Sequence, residues 1–337
     1  MNIFFLILSL IFFNLILYLK IDSISNFFVL FDKPDRKLKR HLKQASLVGG
    51  SIILVNIYLI IFLLKLMDIN NLIFEDNFVY ASILLITLFY FVGLIDDLKN
   101  LTPNLKLLFL ILSIVLVIYL FPEIKLEQIK ISFLQKIYYF NEYSTVFIIL
   151  SFLLLANAMN MFDGINLQLI LFSIFVLSLF IFKGFIPIFF VLLSIPLIFI
   201  SILNFKGKVF LGDNGAFLLS ALLGCAFIYQ YKNFENFFYG DEIFIILLIP
   251  SIDMLRLFFL RLKNKGSPFK GDLNHLHHIV YNYTNDKNKT IFITLILCVL
   301  PSLFLVLNIY TPIILLINLT IYISLIFYLK NKNKSMR

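Results

Sequence analysis

The chain has 337 residues, of which 61% are hydrophobic and only 14% charged, and it carries a net charge of +9. A soluble domain carries about 25% charged residues. Together with a mean hydropathy of +0.99, this excludes a soluble globular protein and leaves an all-α, polytopic integral membrane protein. The basic balance does not call for nucleic acid, because a positive-inside bias explains it more simply.

Apolar runs recur from end to end, each long enough to cross about 30 Å of hydrocarbon as a helix. They predict eleven transmembrane helices, at 2–19, 46–66, 78–95, 104–121, 144–160, 167–182, 185–203, 214–230, 242–260, 290–308 and 311–329. The first run has no basic residue before it and no small-residue cleavage site, so it reads as a retained helix and not as a leader. Cys225 and Cys298 stand alone inside apolar runs and suggest neither a disulfide framework nor a metal site. No Gly/Ser linker or internal repeat stands out, so residues 1–337 are expected to form a single polytopic domain.

Lysine and arginine set the expected orientation. The segments after the odd-numbered spans hold 22 of them and the other side holds 6. The richer side is therefore expected in the cytoplasm, with the N-terminus outside and the C-terminus inside. Four polar clusters from distant parts of the chain fall on that same side, which predicts a polar site at the inner membrane face.

In chain order, the first polar feature is the basic segment 32–50 (DKPDRKLKRHLKQASLVGG) between spans 1 and 2. It is either a topology signal or an anion site in which Lys43 or His41 reaches a lipid phosphate. Gly49-Gly50 would let a second backbone approach closely. Next, Asp96-Asp97 closes the third span, with Lys99 and Lys106 nearby. Carboxylates at a helix C-terminus oppose the helix dipole. Two adjacent ones suit a divalent cation, or a base that takes a proton from a phosphate; a helix end paired with its own lysines is the simpler alternative.

Asn157, Asn160 and Asp163 follow at i, i+3 and i+6, and Gly164 then allows a turn. On a helix these three share one face. Capping and turn chemistry explain Asp163-Gly164 but not two asparagines inside an apolar run. Asp213, in Leu211-Gly-Asp-Asn-Gly215, either caps the eighth span or serves as a Mg²⁺ ligand beside a helix N-terminus that attracts phosphate. Asp253 and Arg256 are spaced for an intrahelical ion pair. Finally, His275, His277 and His278 gather in the longest loop of the cytoplasmic side. With no cysteine near them, zinc is no better supported than hydrogen bonding to phosphate oxygens.

Four motifs carry a resemblance: GLIDDLKNLTPNLKLL (93–108), NAMNMFDGIN (157–166), FLGDNGAFLLSALLG (210–224) and SPFKGDLNHLHH (267–278). In order and spacing the chain resembles the polyprenyl-phosphate N-acetylhexosamine-1-phosphate transferases, of the glycosyltransferase family 4 type. The ending His275-Leu-His-His278 looks like the branch that initiates O-antigen, enterobacterial common antigen or teichoic acid synthesis.

The resemblance implies transfer of N-acetylhexosamine-1-phosphate from a UDP-sugar, UDP-GlcNAc first, to polyprenyl (undecaprenyl) phosphate in the bacterial inner membrane. Mg²⁺, or Mn²⁺ in its place, would be the cofactor; oligomeric state stays open, a homodimer included. The implied roles are Mg²⁺ ligation by Asp213 with the Asn160 carbonyl, and positioning or deprotonation of the lipid phosphate by Asp96 and Asp97. Asp163 and Asn157 would organise the nucleotide pocket. His275, His277 and His278 would contact the donor phosphates, and Lys43 the acceptor phosphate.

Two departures matter. Where the family repeats Asp-Gly after the first pair, this chain has Asn166-Leu167, and Ser46 stands where the family commonly has Pro. Other readings stay open: a transferase of peptidoglycan synthesis, a polytopic transporter with its site near the bilayer midplane, and an inactive paralogue.

Overall fold

A computed structural model describes residues 2–28, 30–32, 45–67, 76–182, 188–234, 238–264 and 273–335. About 82% of it is helical. Helices suit this composition because hydrocarbon offers no partner to a backbone N–H or C=O, and a helix satisfies both within one segment.

The chain divides into two compact units, each built from two stretches of sequence. The first comprises Met1–Ile124 and Leu169–Cys225; the second comprises Lys125–Gln168 and Ala226–Arg337.

The first unit begins with α1 (Asn2–Leu19) and the short amphipathic α2 (Ile21–Phe28). These two meet at a bend of 69°. Strands β1 (Phe31–Asp32) and β2 (Ala45–Ser46) pair antiparallel, Asp32 opposite Ala45, so they bring the two ends of the basic segment side by side. Helices α3 (Gly49–Leu66), α4 (Asp76–Lys99) and α5 (Pro103–Leu120) follow. Pro103 opens α5, where its fixed φ suits the first turn and its missing N–H leaves no helical bond unmade.

Helices α7 (Gln168–Phe182), α8 (Ile188–Phe205) and the first part of α9 (Gly212–Asn233) complete this unit. α8 packs against both α1 and α3. Deep in the unit, Asn14 and Asn56 exchange side-chain hydrogen bonds of 2.8 and 3.2 Å, and each also donates to its own helix. Buried amides in an apolar setting are thus satisfied by each other and by their own helices.

The second unit contains the hairpin of β3 (Gln128–Ile131) and β4 (Lys136–Tyr139), then α6 (Ser144–Phe162). It continues with the end of α9, α10 (Gly240–Ile246), α11 (Leu248–Lys263), α12 (Leu276–Thr284), α13 (Lys287–Val306) and α14 (Thr311–Ser335). Buried Asp241 joins three of these elements. It accepts Ser132 N–H at 2.8 Å and the hydroxyls of Ser132 at 2.5 Å and Thr311 at 2.6 Å. Asp286 caps α13 by accepting the N–H groups of Asn288 and Lys289 at 2.8 and 3.1 Å.

Among the described residues, eight helices are long and apolar enough to cross a membrane, and ten spans result if each of two bent pairs counts as one. The bent pairs are α1–α2 and α10–α11; α7 is a shorter apolar helix. Each of the eleven predicted segments therefore carries helix. Large apolar side chains such as Phe4, Phe12, Leu116 and Phe327 lie exposed, as a lipid-facing surface allows.

Candidate active site

The first group of candidate residues lies where α4 ends, α5 begins and α9 begins, all within the first unit. Asp96 and Asp97 occupy the last turn of α4, Lys106 the first turns of α5, and Asp213 the first turn of α9. The Lys106 ammonium sits between two carboxylates, in contact with Asp96 Oδ2 and 2.7 Å from Asp213 Oδ2. The other Asp96 oxygen accepts Leu101 N–H at 2.8 Å. Residues far apart in sequence thus converge on one cation.

Asp97 points elsewhere. Its two oxygens accept the backbone N–H groups of Asp213 and Asn214, each at 3.0 Å, and the Asn214 side-chain amide at 2.6 Å. The first N–H groups of a helix lack partners inside it, and a carboxylate there also suits the helix dipole. The cap of α9 is therefore supplied from α4 by Asp97. Of the two readings of Asp213, capping is the work of another residue.

Close approach makes this geometry. A Cβ on Gly93 would lie 2.5 Å from Asn214 N, and one on Gly50 would lie 2.5 Å from Gly215 N. Gly212 has φ +71, and a Cβ there would meet Asp97 Oδ2 at 2.6 Å. The tight backbone approach expected at Gly49-Gly50 is present: a Cβ on Gly49 would lie 2.6 Å from Phe210 O. The chain at 46–49 is also stitched to 208–210, with Ser46 N–H on Lys208 O at 3.2 Å and Phe210 N–H on Ser46 O at 2.7 Å.

Three carboxylates and one ammonium stand together here. All the donors are hard oxygens, which suit Mg²⁺, and Mg²⁺ commonly takes only one or two protein carboxylates plus substrate phosphate. Asp213 and Asp96 hold Lys106 between them, and by donor type their oxygens fit such an ion. Among the described residues, no group of three or more His, Cys, Asp or Glu stands ready as a complete metal site.

The second group lies in the second unit. Asn157, Asn160 and Asp163 lie half-buried along the last turns of α6 and at its end, and Asn157 donates to Leu153 O at 2.8 Å. The turn after them meets the histidines: a Cβ on Gly164 would fall against the His277 imidazole, 2.9 Å from its Cδ2. His275 and His277 are buried; their rings stack with centroids 5.5 Å apart, and the His278 ring lies tilted against His277 at 4.2 Å.

His275 is held by its neighbours. Its Nδ1 lies 3.3 Å from Asp253 Oδ2, and its Nε2 lies 3.5 Å from Arg261 Nη2. Asp253 also accepts from Leu276 N–H at 3.1 Å, from Tyr322 hydroxyl at 2.7 Å and from Arg256 at 2.7 Å. The expected Asp253–Arg256 ion pair is therefore present, and it serves as the seat of the histidine turn. Arg256 additionally donates to Asn274 O at 2.7 Å.

At the altered Asp-Gly pair, Leu167 adopts φ +70. That conformation favours glycine, and a bulky side chain there is strained. Lys43 and His41 lie outside the described residues, as does the 267–272 part of the histidine loop.

Lys106 and Asn214 entered from the sequence only as neighbours of other residues. The signal available for Asn214 was its place between Gly212 and Gly215; for Lys106 it was a cation at the start of an apolar run. Tyr322 offered no signal, being one tyrosine in an apolar helix.

No curated protein matches the chain. Residues 79–231, which include Asp96, Asp97, Asn157, Asn160, Asp163 and Asp213, are similar to the family described as glycosyl transferase family 4.

Proposed function

We propose that this chain transfers N-acetylhexosamine-1-phosphate from a UDP-sugar, UDP-GlcNAc first, to polyprenyl phosphate, at the cytoplasmic face of a bacterial inner membrane. A lipid phosphate oxygen attacks the β-phosphorus, the bond from that phosphorus to the bridging oxygen breaks, and UMP leaves. The product is polyprenyl-diphospho-sugar, a first membrane intermediate of a cell-surface glycan. The observation that carries this reading is the convergence of Asp96 and Asp213 on Lys106 at the polar end of an otherwise apolar unit. The match over 79–231 supports it.

Phosphoryl transfer depends on positioning and on neutralising charge. Lys106 offers an ammonium to an arriving phosphate. Asp96, beside it, orients the acceptor or takes its proton. Asp213 would hold Mg²⁺, which when bound neutralises charge on the donor diphosphate. In the second unit, Asn157 and Asp163 supply an amide and a carboxylate suited to a nucleotide, and His277 and His278 supply ring nitrogens suited to phosphate oxygens. His275 is placed to hold its turn through Asp253.

The test is UMP release by membranes containing the protein, polyprenyl phosphate and Mg²⁺, with a panel of UDP-sugars. UMP should appear with a UDP-N-acetylhexosamine and cease when Mg²⁺ is chelated. Asp213→Asn should lower the rate at least about 10²-fold while the protein stays in the membrane. Full activity in that variant would sink the metal assignment, and no UMP from any donor would sink the reaction. UMP released only with a muramoyl-pentapeptide donor would move the chain to peptidoglycan synthesis.

A further inference from the structure

We infer that Asn214 is a positioning residue: its buried amide ties Leu47, where the chain leaves the basic segment, and Asp97 to the first turn of α9, and so sets where Asp213 stands beside Asp96 and Lys106. The inference rests on the phosphotransferase reading for its consequence, and on contacts within the first unit for its geometry.

Asn214 is fully buried, at 0% exposure. A side-chain amide has two N–H donors, and both are committed to segments distant in sequence. One goes to Leu47 O at 3.0 Å and the other to Asp97 Oδ2 at 2.6 Å. The backbone N–H of the same residue donates to the same Asp97 oxygen at 3.0 Å. Asp97 Oδ1 accepts Asp213 N–H at 3.0 Å. The carboxylate and the amide thus form one clamp across the ends of three segments.

The clamp has a cost that packing alone would not require. Asn214 Oδ1 is buried without a hydrogen-bond partner, and an unmet buried acceptor is unfavourable. It lies where a Cβ on residue 50 would be, so only glycine admits it. An apolar side chain of similar size would avoid that loss but could not make the two donor bonds. With its oxygens bound to α9, Asp97 acts through position. Asp96 and Asp213 are left as the carboxylates at Lys106. A shift of α9 by one hydrogen bond would move Asp213 away from both.

The experiment is a double-mutant cycle on the purified full chain, using Asn214→Ala, Asp97→Asn and both together, with Asn214→Asp as a sign test. Each is read by initial-rate kinetics of UMP release and by thermal melting. Asn214→Ala should lower kcat at least about tenfold with KM for the UDP-sugar within about twofold, because the clamp sets geometry and not donor affinity. Asn214→Asp keeps the shape but sets a carboxylate against Asp97, so it should lose more than Asn214→Ala. The double variant should lose no more kcat than the worse single, and the melting shifts should be sub-additive, because the two residues act as one unit.

Wild-type kcat in Asn214→Ala, an Asn214→Asp as active as Asn214→Ala, or losses that multiply would each overturn the inference. If the unmodified protein releases no UMP from any donor, the functional reading fails separately and the melts decide: sub-additive shifts support the clamp and additive shifts refute it. If Asn214→Ala yields no folded protein, Asn214→Ser, which keeps one donor, takes its place in the cycle.

Discussion

Gly93→Ala adds one methyl group at the closest approach of α4 to α9. The new Cβ would lie 2.5 Å from both Asn214 N and Asn214 Cα, and closer still to Asp213 O. Carbon atoms rest about 3.5–4.0 Å from their neighbours, so the two backbones must part by about 1 Å. The obstructing atoms are main chain, and no rotamer change relieves them. Overpacking of this kind costs about 1–3 kcal/mol. The same movement stretches the bonds from Asp213 N and Asn214 N to Asp97, now 3.0 Å, beyond hydrogen-bonding range. Hydrogen bonds to a charged group contribute about 1.5–3 kcal/mol each, so a total loss of about 3 kcal/mol is a conservative expectation. Cys225 and Cys298 are free and buried, so a thiol-reactive dye reports unfolding of the protein in detergent. The variant should melt several degrees lower and release UMP at least about tenfold more slowly, since a 1 Å misplacement costs up to about 10²-fold. Wild-type melting and wild-type turnover in Gly93→Ala would refute the claim that glycine at this position sets the site.

Asp253→Ala removes a carboxylate that is 6% exposed and leaves Arg256 and Tyr322 without their shared acceptor. Breaking a buried ion pair costs about 3–5 kcal/mol, so the variant should melt lower than any substitution at exposed Lys99; equal melting would show that the histidine turn is held by something else. Leu167→Gly should have the opposite sign. Relief of a left-handed φ of +70 contributes about 1–2 kcal/mol, offset in part by the greater freedom of glycine in the unfolded chain. The melting temperature should rise, and a fall would mean that the Leu167 side chain is itself needed for packing.

Some tertiary features were legible because they are nearly local. Gly49-Gly50 announced a close backbone approach, and Gly50 does lie against Asn214 and Gly215. The i, i+3 spacing of Asp253 and Arg256 announced their ion pair. Other features were not legible even where a local cause exists. Residues 242–260 read as one straight span, yet α10 and α11 meet at 76°. Pro250 explains the break: its ring opposes the carbonyl four residues back, and α10 ends at that residue, Ile246. The apolar run is unbroken there, so hydropathy alone passes over it. Likewise α2 lies outside every apolar run, because its eight residues are too few to cross a membrane.

By itself the sequence determined the helical membrane class, since a helix satisfies its backbone polar groups within one continuous apolar run, whereas the strands of a closed barrel alternate apolar and polar residues. It also singled out the short polar stretches, because carboxylates, amides and imidazoles are costly beside hydrocarbon and stand out where they occur. Only the tertiary structure decided which partners those groups take. Asp96 and Asp97 are adjacent and chemically identical, but successive residues on a helix point about 100° apart. One therefore turns to Lys106 and Asp213, and the other to the first turn of α9. That choice depends on contacts more than a hundred residues distant in sequence, at Asp213 and Asn214, and packing of α4 against α9 through glycine is what brings them within reach.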